Sequence, residues 1–391
     1  MKTLGVYIQV PFCQTKCTYC NFHTGVVSRE RYAPYAAAVR REIEAWLAES
    51  ANGELSESRI DTVYFGGGTP SLLEPSALAS VLGALEPRFA DASAMEITLE
   101  ADPETIDASK AAAWREAGFN RISLGVQSFN DDELKATGRM HRRVDIFNAA
   151  QILRGAGFDN ISMDLIAGLP RQTRESWEES VGELLAIRPE HVSIYMLEID
   201  EGSRLGRESL AGGSRYSAGA IPEDDAIAEF YESARARLAA AGYEHYEISN
   251  WGLPGKHSRH NLKYWRREPY IGFGAGAHSF DGRVRWANVH DSTRYVAGID
   301  EKVSTREQVE PVTAEQALEE EFFLGLRQME GIDLHRIERA YDAELHEQFG
   351  SVRSRLEALR AQGLVEMDGD RVRLSPQRLT VSNEVFTELM G

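Results

Sequence analysis

Apolar, β-branched-rich runs punctuate the first half of the chain: LGVYIQV (4–10), IDTVYF (60–65), MEITLE (95–100), RISLGV (121–126), NISMDLIAG (160–168) and HVSIYML (191–197). Stretches with helical periodicity, such as YAPYAAAVRREIEAWLAE and ESWEESVGELLAI, fill most of the intervals. Strand alternating with helix six times predicts an α/β fold with a parallel sheet. Near-continuous apolar strands predict a sheet covered on both faces or curled into a partial barrel, and a doubly wound open sheet also satisfies the pattern. Such folds place ligands at the C-terminal ends of their strands, which is where glycine and polar residues gather in this sequence.

The pattern then changes twice. GGSRYSAGAIPEDD (212–225) reads as a loop, and a helix follows to about Ala241. From 243 to about 300 the chain is rich in Gly, His, Tyr and Trp with weak periodicity. Residues 314–391 return to helical segments and end in LVEMDGDRVRLSP, where Asp368-Gly369 between alternating apolar residues predicts a hairpin. Helices plus a hairpin suggest a winged-helix-like domain. That segment carries nine basic against sixteen acidic residues, which favours a structural or docking role over reading DNA. The organisation expected is a core over 1–242, a His- and aromatic-rich extension over 243–310, and a C-terminal domain over 311–391.

Charge narrows the function. The chain has 43 Lys and Arg against 61 Asp and Glu, a net of −18, which repels phosphate backbones and anionic lipid. No stretch approaches the roughly 20 apolar residues of a membrane span, and the N-terminus lacks signal-peptide anatomy. A cytoplasmic protein that binds no nucleic acid is expected.

All three cysteines, Cys13, Cys17 and Cys20, fall within eight residues. In a reducing compartment such a cluster points to a metal or redox site. Thiolates suit zinc or iron–sulfur clusters. His23 would complete a zinc site, although structural zinc ligands usually come as two separated pairs. Three incidental buried cysteines are the remaining alternative. A four-iron cluster on three cysteines would keep one iron open to a small molecule. The triple glycine Gly66-Gly67-Gly68 before Thr69-Pro70 suits close approach of backbone to a ligand, or a tight strand-to-helix turn. Glu100, Asp102, Gln127 and Asp164 stand at or near the ends of successive apolar strands, as caps or as ligand-facing groups.

The spacing Cys13-x3-Cys17-x2-Cys20, with Tyr19 before the last cysteine, resembles the signature of the radical S-adenosylmethionine (SAM) superfamily. With the glycine run, GVQSF, DLIAGLP and HNLKYW, the resemblance narrows to its oxygen-independent coproporphyrinogen III oxidase-like branch. It implies a radical-SAM-type partial (βα)6 barrel with a C-terminal, mainly helical, winged-helix-like domain. It also implies a [4Fe-4S] cluster on Cys13, Cys17 and Cys20. S-adenosyl-L-methionine would be held by Tyr7, Tyr19, Gly67, Gly68, Thr69, Glu100, Gln127, Arg139 and Asp164, with Arg139 pairing with the ligand carboxylate.

That branch contains radical oxidases of porphyrin biosynthesis and heme chaperones that hand heme to an acceptor protein. The oxidase pattern has a further cysteine two residues after the third, where this chain has Phe22, and a long extension before the first strand, which here starts at about Leu4. His260-Asn261-Leu262-Lys263-Tyr264-Trp265 fits the H-N-x-x-Y-W pattern that the resemblance associates with heme, with His260 as axial ligand and Tyr264 and Trp265 lining the pocket. Five of the ten histidines and three of the six tryptophans fall in 243–290, and heme needs an imidazole and flat apolar walls. The alternative is an aromatic lid over the barrel with His260 merely hydrogen-bonded. The G-x-G-x-G run at 272–276 lacks the strand-plus-helix context of a dinucleotide site and is expected to be close-packed backbone. A heme chaperone is therefore expected, with coproporphyrinogen oxidation as the alternative. Its partners would be heme, an acceptor protein and an electron donor, with room for a homodimer.

Overall fold

The computed structural model describes residues 3–50, 55–91 and 95–390. Strands β1 (Thr3–Val10), β2 (Arg59–Gly67), β3 (Glu96–Ala101), β4 (Arg121–Gln127), β5 (Ile161–Ala167) and β6 (His191–Met196) lie parallel and in consecutive order. A doubly wound sheet reverses its strand order at a switch point, and this one does not. Consecutive order with right-handed crossovers places the connecting helices on one face, which gives the partial (βα)6 barrel.

The strands alternate rather than run apolar throughout. Leu4, Val6, Ile8 and Val10 join Ile97, Leu99, Ile122, Leu124, Met163, Leu165, Val192 and Ile194 in one buried core with helix residues such as Val39, Leu82, Trp114, Leu153 and Val181. Burying each aliphatic side chain contributes about 1.5–3 kcal/mol. The alternate positions point to the opposite, inner face. They include Tyr7 and Gln9, Thr62 and Tyr64, Thr98 and Glu100, Ser123 and Gln127, Ser162 and Asp164, and Ser193 and Tyr195. The outer row holds the barrel together, which leaves the inner row available for polar chemistry.

Residues 243–310 are woven into this sheet rather than set apart from it. Strands β7 (Glu244–Glu247) and β8 (Asn250–Gly252) extend the β6 edge. Strand β9 (Tyr270–Phe273) pairs parallel with β1, and β10 (His278–Phe280), β11 (Val284–Asn288) and β12 (Arg306–Pro311) add antiparallel beyond it. The full order is β12-β11-β10-β9-β1-β2-β3-β4-β5-β6-β8-β7. Between β8 and β9 the chain crosses the mouth formed by the N-terminal ends of the strands, as the helix Arg259–Trp265. Glu96, at the start of β3, accepts the backbone N–H groups of Arg259 and His260 at 3.1 and 2.9 Å. Buried Lys263 pairs with Asp61 at 3.0 Å and with Glu268 at 2.9 Å. In the glycine run at 272–276, a Cβ on Gly272 would lie 2.2 Å from the His278 carbonyl oxygen, so the backbone is close-packed there.

The C-terminal part combines helices Ala314–Gly325, Leu334–Ala361 and Ser382–Met390 with a small sheet. In that sheet β13 (Ile332–Asp333) and β14 (Val365–Asp368) flank β15 (Arg371–Leu374). Gly369, at φ 58°, turns the β14–β15 hairpin where Asp368-Gly369 predicted it. The long helix breaks at Leu345, so the layout is helix, helix and hairpin wing. Among the described residues no helix is long and apolar enough to cross a membrane.

Candidate metal and cofactor site

Each barrel strand ends in a loop on the same face, and the cysteine loop leaves β1 there. Its first segment is clamped to the end of β2: Gly68 N–H donates to the Val10 carbonyl at 2.8 Å and Thr69 N–H to that of Phe12 at 2.7 Å. A Cβ on Gly68 would sit 2.4 Å from the Phe12 carbonyl oxygen. Gly67 adopts φ 109°, and a Cβ there would lie 2.4 Å from Gln9 Nε2. The glycine run is thus what lets β2 close on the root of the cysteine loop. Farther along, Thr18 N–H reaches the Thr137 carbonyl at 3.0 Å, and Leu205 N–H reaches that of Thr18 at 2.8 Å. The loop is therefore tied at both sides of the barrel mouth.

The three thiols are free and half-buried. Burial pushes the Cys13 and Cys20 thiols above their ordinary pKa. Among the described residues no three His, Cys, Asp or Glu side chains converge on one metal ion. His23 packs instead on His290, with ring centroids 4.4 Å apart, so the zinc arrangement that His23 would complete is not formed. Three half-buried thiols on one loop are a donor set that suits an iron–sulfur cubane.

Beside them Arg139 organises the site. Its Nη1 donates to Cys17 Sγ at 3.6 Å, and its Nη2 bonds Asp102 and the Gly125 carbonyl. Asp102 also accepts from Thr69 Oγ1 at 2.9 Å. Arg139 thus links the loop after β1, the end of β2, the end of β3 and strand β4. Its guanidinium is held well above its ordinary pKa, the Asp102 carboxylate outweighing the effect of burial. Tyr19 is raised well above the usual phenol range, first by burial and then by Cys17.

Deeper on the inner face, Glu100 accepts from Tyr64 Oη at 2.7 Å and from Gly67 N–H at 3.1 Å. Burial pushes its carboxyl up to about 7 against those two bonds. Asp164 is pushed up to about 6 by burial. Gln127 ends β4 in the left-handed region at φ 65°, a strained conformation for a residue with a side chain. Tyr7 stacks on Tyr64 with centroids 6.0 Å apart. The expected residues from Tyr7 to Asp164 therefore lie along the inner lane and its C-terminal rim. The hub role of Asp102 and the part played by Tyr64 are not evident from strand ends alone. Strict alternation along TVYF is the signal that locates the latter.

The H-N-x-x-Y-W helix lies at the opposite mouth. His260 is buried, with Nδ1 2.9 Å from Thr62 Oγ1 and Nε2 2.8 Å from Tyr264 Oη. Burial lowers its pKa to about 3. Tyr264 also packs edge-on against Tyr270, and Trp265 lies 6.0 Å from Tyr246. Both ring nitrogens of His260 are thus hydrogen-bonded in this conformation.

A singly wound partial barrel with a three-thiol loop after its first strand defines the class, a radical S-adenosylmethionine protein. The Radical SAM superfamily model matches residues 7–184, and the HemN C-terminal domain model matches residues 312–377. The chain is 36% identical over 388 residues to the protein named heme chaperone HemW of Bacillus subtilis, covering 99% of both chains. It is 32% identical over 389 residues to that of Lactococcus lactis, covering 100% of this chain and 98% of the relative. Among solved structures, coproporphyrinogen III oxidase (HemN) from Escherichia coli matches with a TM-score of 0.85 at 22% identity, over 99% of this chain and 90% of that one. The chain belongs to the HemW family of the radical SAM superfamily.

Proposed function

We propose that the protein is a heme chaperone of the cytoplasm: it carries a [4Fe-4S] cluster on Cys13, Cys17 and Cys20, binds S-adenosylmethionine, takes up heme and delivers it to an acceptor protein. The observation that carries this reading is the 36% identity with a protein named as a heme chaperone over 99% of both chains. Phe22 supports it, because the oxidases of the resembled branch have a thiol at that position. The cluster, when bound, supplies an electron from a reducing partner and an open iron for the amino-acid end of S-adenosylmethionine. Tyr7, Tyr19, Gly67, Gly68, Thr69, Glu100, Gln127 and Asp164 line the space for that ligand, and Arg139 offers its carboxylate a guanidinium. Arg139 also steadies Cys17 through its 3.6 Å contact.

The test is anaerobic reconstitution followed by hemin titration and transfer. Four irons per chain, one hemin per chain with a defined Soret band, and passage of that hemin to an apo-hemoprotein are the expected results. Conversion of coproporphyrinogen III to protoporphyrinogen by the reduced protein with S-adenosylmethionine would overturn the reading in favour of the oxidase.

A further inference from the structure

Arg139 is not the only side chain that ties the segment after the helix Asp131–Ala136 to the strand ends. Two residues on, past Met140, which is exposed, His141 turns back inward and is buried. Its Nε2 lies 3.0 Å from the Val126 carbonyl oxygen, and its Nδ1 lies 3.5 Å from Glu104 Oε2. Glu104 stands two residues after Asp102, on the single turn Pro103–Thr105 that leaves β3. The spacing therefore repeats on both sides. Arg139 meets Asp102 and the Gly125 carbonyl, and His141 meets Glu104 and the next carbonyl of β4. A second rung runs beside the first, and only the first belongs to the site described above.

The strand is shaped to receive both. Strand β4 leaves its regular register with β5 between Leu124 and Gln127, and Gln127 closes it at φ 65°. The Gly125 and Val126 carbonyls fall in that irregular stretch, where side-chain donors reach them. The turn opposite is held by Thr105, whose N–H and Oγ1 donate to the Asp102 carbonyl at 2.9 and 2.7 Å, so Asp102 and Glu104 form one rigid piece. With His141 Nε2 donating to Val126, the approach of Nδ1 to Glu104 is attractive only when one of those two atoms also carries a proton. Both atoms are buried, and neither has another hydrogen-bond partner among the described residues. The contact is thus the polar use the fold makes of each, in an interior where an orphaned polar atom is costly.

What the second rung does follows from the demand on the first. Three of the five N–H groups of Arg139 are taken by Cys17, Asp102 and Gly125, which leaves two for a ligand. A guanidinium recognises a carboxylate by matching a planar fork, and small shifts of the backbone that carries it spoil the match. On one side that backbone is set by Arg139 N–H to the Leu134 carbonyl at 2.9 Å. On the other side the next inward anchor is His141. Resting on the reading that Arg139 holds the carboxylate of S-adenosylmethionine, we infer that His141, seated on Glu104, is a positioning residue for that ligand: it fixes the backbone behind Arg139 and so aims the guanidinium. Removing the imidazole leaves every group expected to touch the ligand in the chain and loosens only its aim.

The experiment measures S-adenosylmethionine affinity by calorimetry, together with the change the ligand causes in the electron paramagnetic resonance spectrum of the reduced cluster. It uses the full-length, cluster-loaded protein, native and carrying His141→Ala, His141→Gln, Glu104→Ala, Arg139→Lys, or His141→Ala with Arg139→Lys. His141→Ala should weaken binding about tenfold and shrink the spectral change. His141→Gln, whose amide can still donate to Val126, should recover most of both. Glu104→Ala acts from the partly exposed side of the contact, should weaken binding less, and carries the test should His141→Ala unfold the chain. Arg139→Lys keeps the charge and loses the fork, so in that background His141→Ala should cost little further. Native affinity in His141→Ala, or in Glu104→Ala where His141→Ala does not fold, would overturn the inference. So would an equal loss from His141→Ala with and without Arg139→Lys, which a merely structural role produces. In those cases binding by the native protein leaves the S-adenosylmethionine reading standing. Failure of the native, cluster-loaded protein to bind S-adenosylmethionine at all would overturn both.

Discussion

Replacing His260 with alanine separates a structural role from a heme-binding one. The imidazole bridges Thr62 Oγ1 at 2.9 Å and Tyr264 Oη at 2.8 Å, inside a buried stack with Tyr64, whose ring centroid is 5.2 Å away. Its removal leaves two buried hydroxyls without partners, each costing about 1–3 kcal/mol. The cavity left by a five-membered ring adds to this, so a total of roughly 3–5 kcal/mol is expected, a large share of the roughly 5–15 kcal/mol that typically holds a fold together. The pH dependence carries a second signature. With its folded pKa lowered to about 3 from 6.5, His260 contributes its full stabilisation above about pH 6.5 and loses it as the pH falls toward 3. In that window the unfolded chain binds the proton that the folded one refuses, at about 1.4 kcal/mol per pH unit. Urea unfolding of the full chain at pH 7 and pH 5 should therefore show a gap between native and His260→Ala that narrows by roughly 2 kcal/mol at the lower pH. An unchanged unfolding midpoint with a lost hemin Soret band would refute this reasoning and make His260 a heme ligand.

Three further outcomes follow from the site and its supports. Gly68→Ala places a Cβ 2.4 Å from the Phe12 carbonyl oxygen, so reconstitution should yield clearly fewer irons per chain than native, at a stability cost of about 1–3 kcal/mol. Because burial holds the Glu100 carboxyl up at about 7, affinity for cationic S-adenosylmethionine should rise between pH 6 and 8, by at most about tenfold per unit, and Glu100→Gln should flatten the dependence in calorimetry. Glu42 accepts from Gly274 N–H, Asn288 Nδ2 and Tyr295 Oη, so Glu42→Ala should lower stability by about 3 kcal/mol or more in denaturant unfolding, with Glu42→Gln milder.

The strands and the Asp368-Gly369 turn were legible in sequence because short-range patterning sets them: period-two apolar positions and a turn that needs positive φ at Gly369. The three thiols were legible because a single loop carries all of them. What sequence could not separate was a doubly wound sheet from a barrel, since strand order depends on pairing between segments far apart in the chain. The twelve-stranded sheet, with residues 243–310 on both edges of the core, was hidden for the same reason. So was the location of the H-N-x-x-Y-W helix. Its spacing specifies a helix face, whereas its place at the N-terminal mouth is set by Glu96, Asp61 and Thr62, about 160 to 200 positions earlier.

That placement changes how the two ends of the barrel relate. The inner lane runs from His260 through Tyr64, which stacks on it, to Glu100 and then to Gly67, whose backbone donates to the same carboxylate. The first link is a ring stack and the other two are part-buried hydrogen bonds, and a buried polar group that loses its partner costs more than the contact contributes in place. The plug at one mouth and the glycine run at the other are therefore joined through side chains that tolerate little displacement. The tryptophan and tyrosine residues of 243–290 need not line a ligand pocket to account for their number, because closing the lower mouth of an open barrel already requires large rings with polar tips.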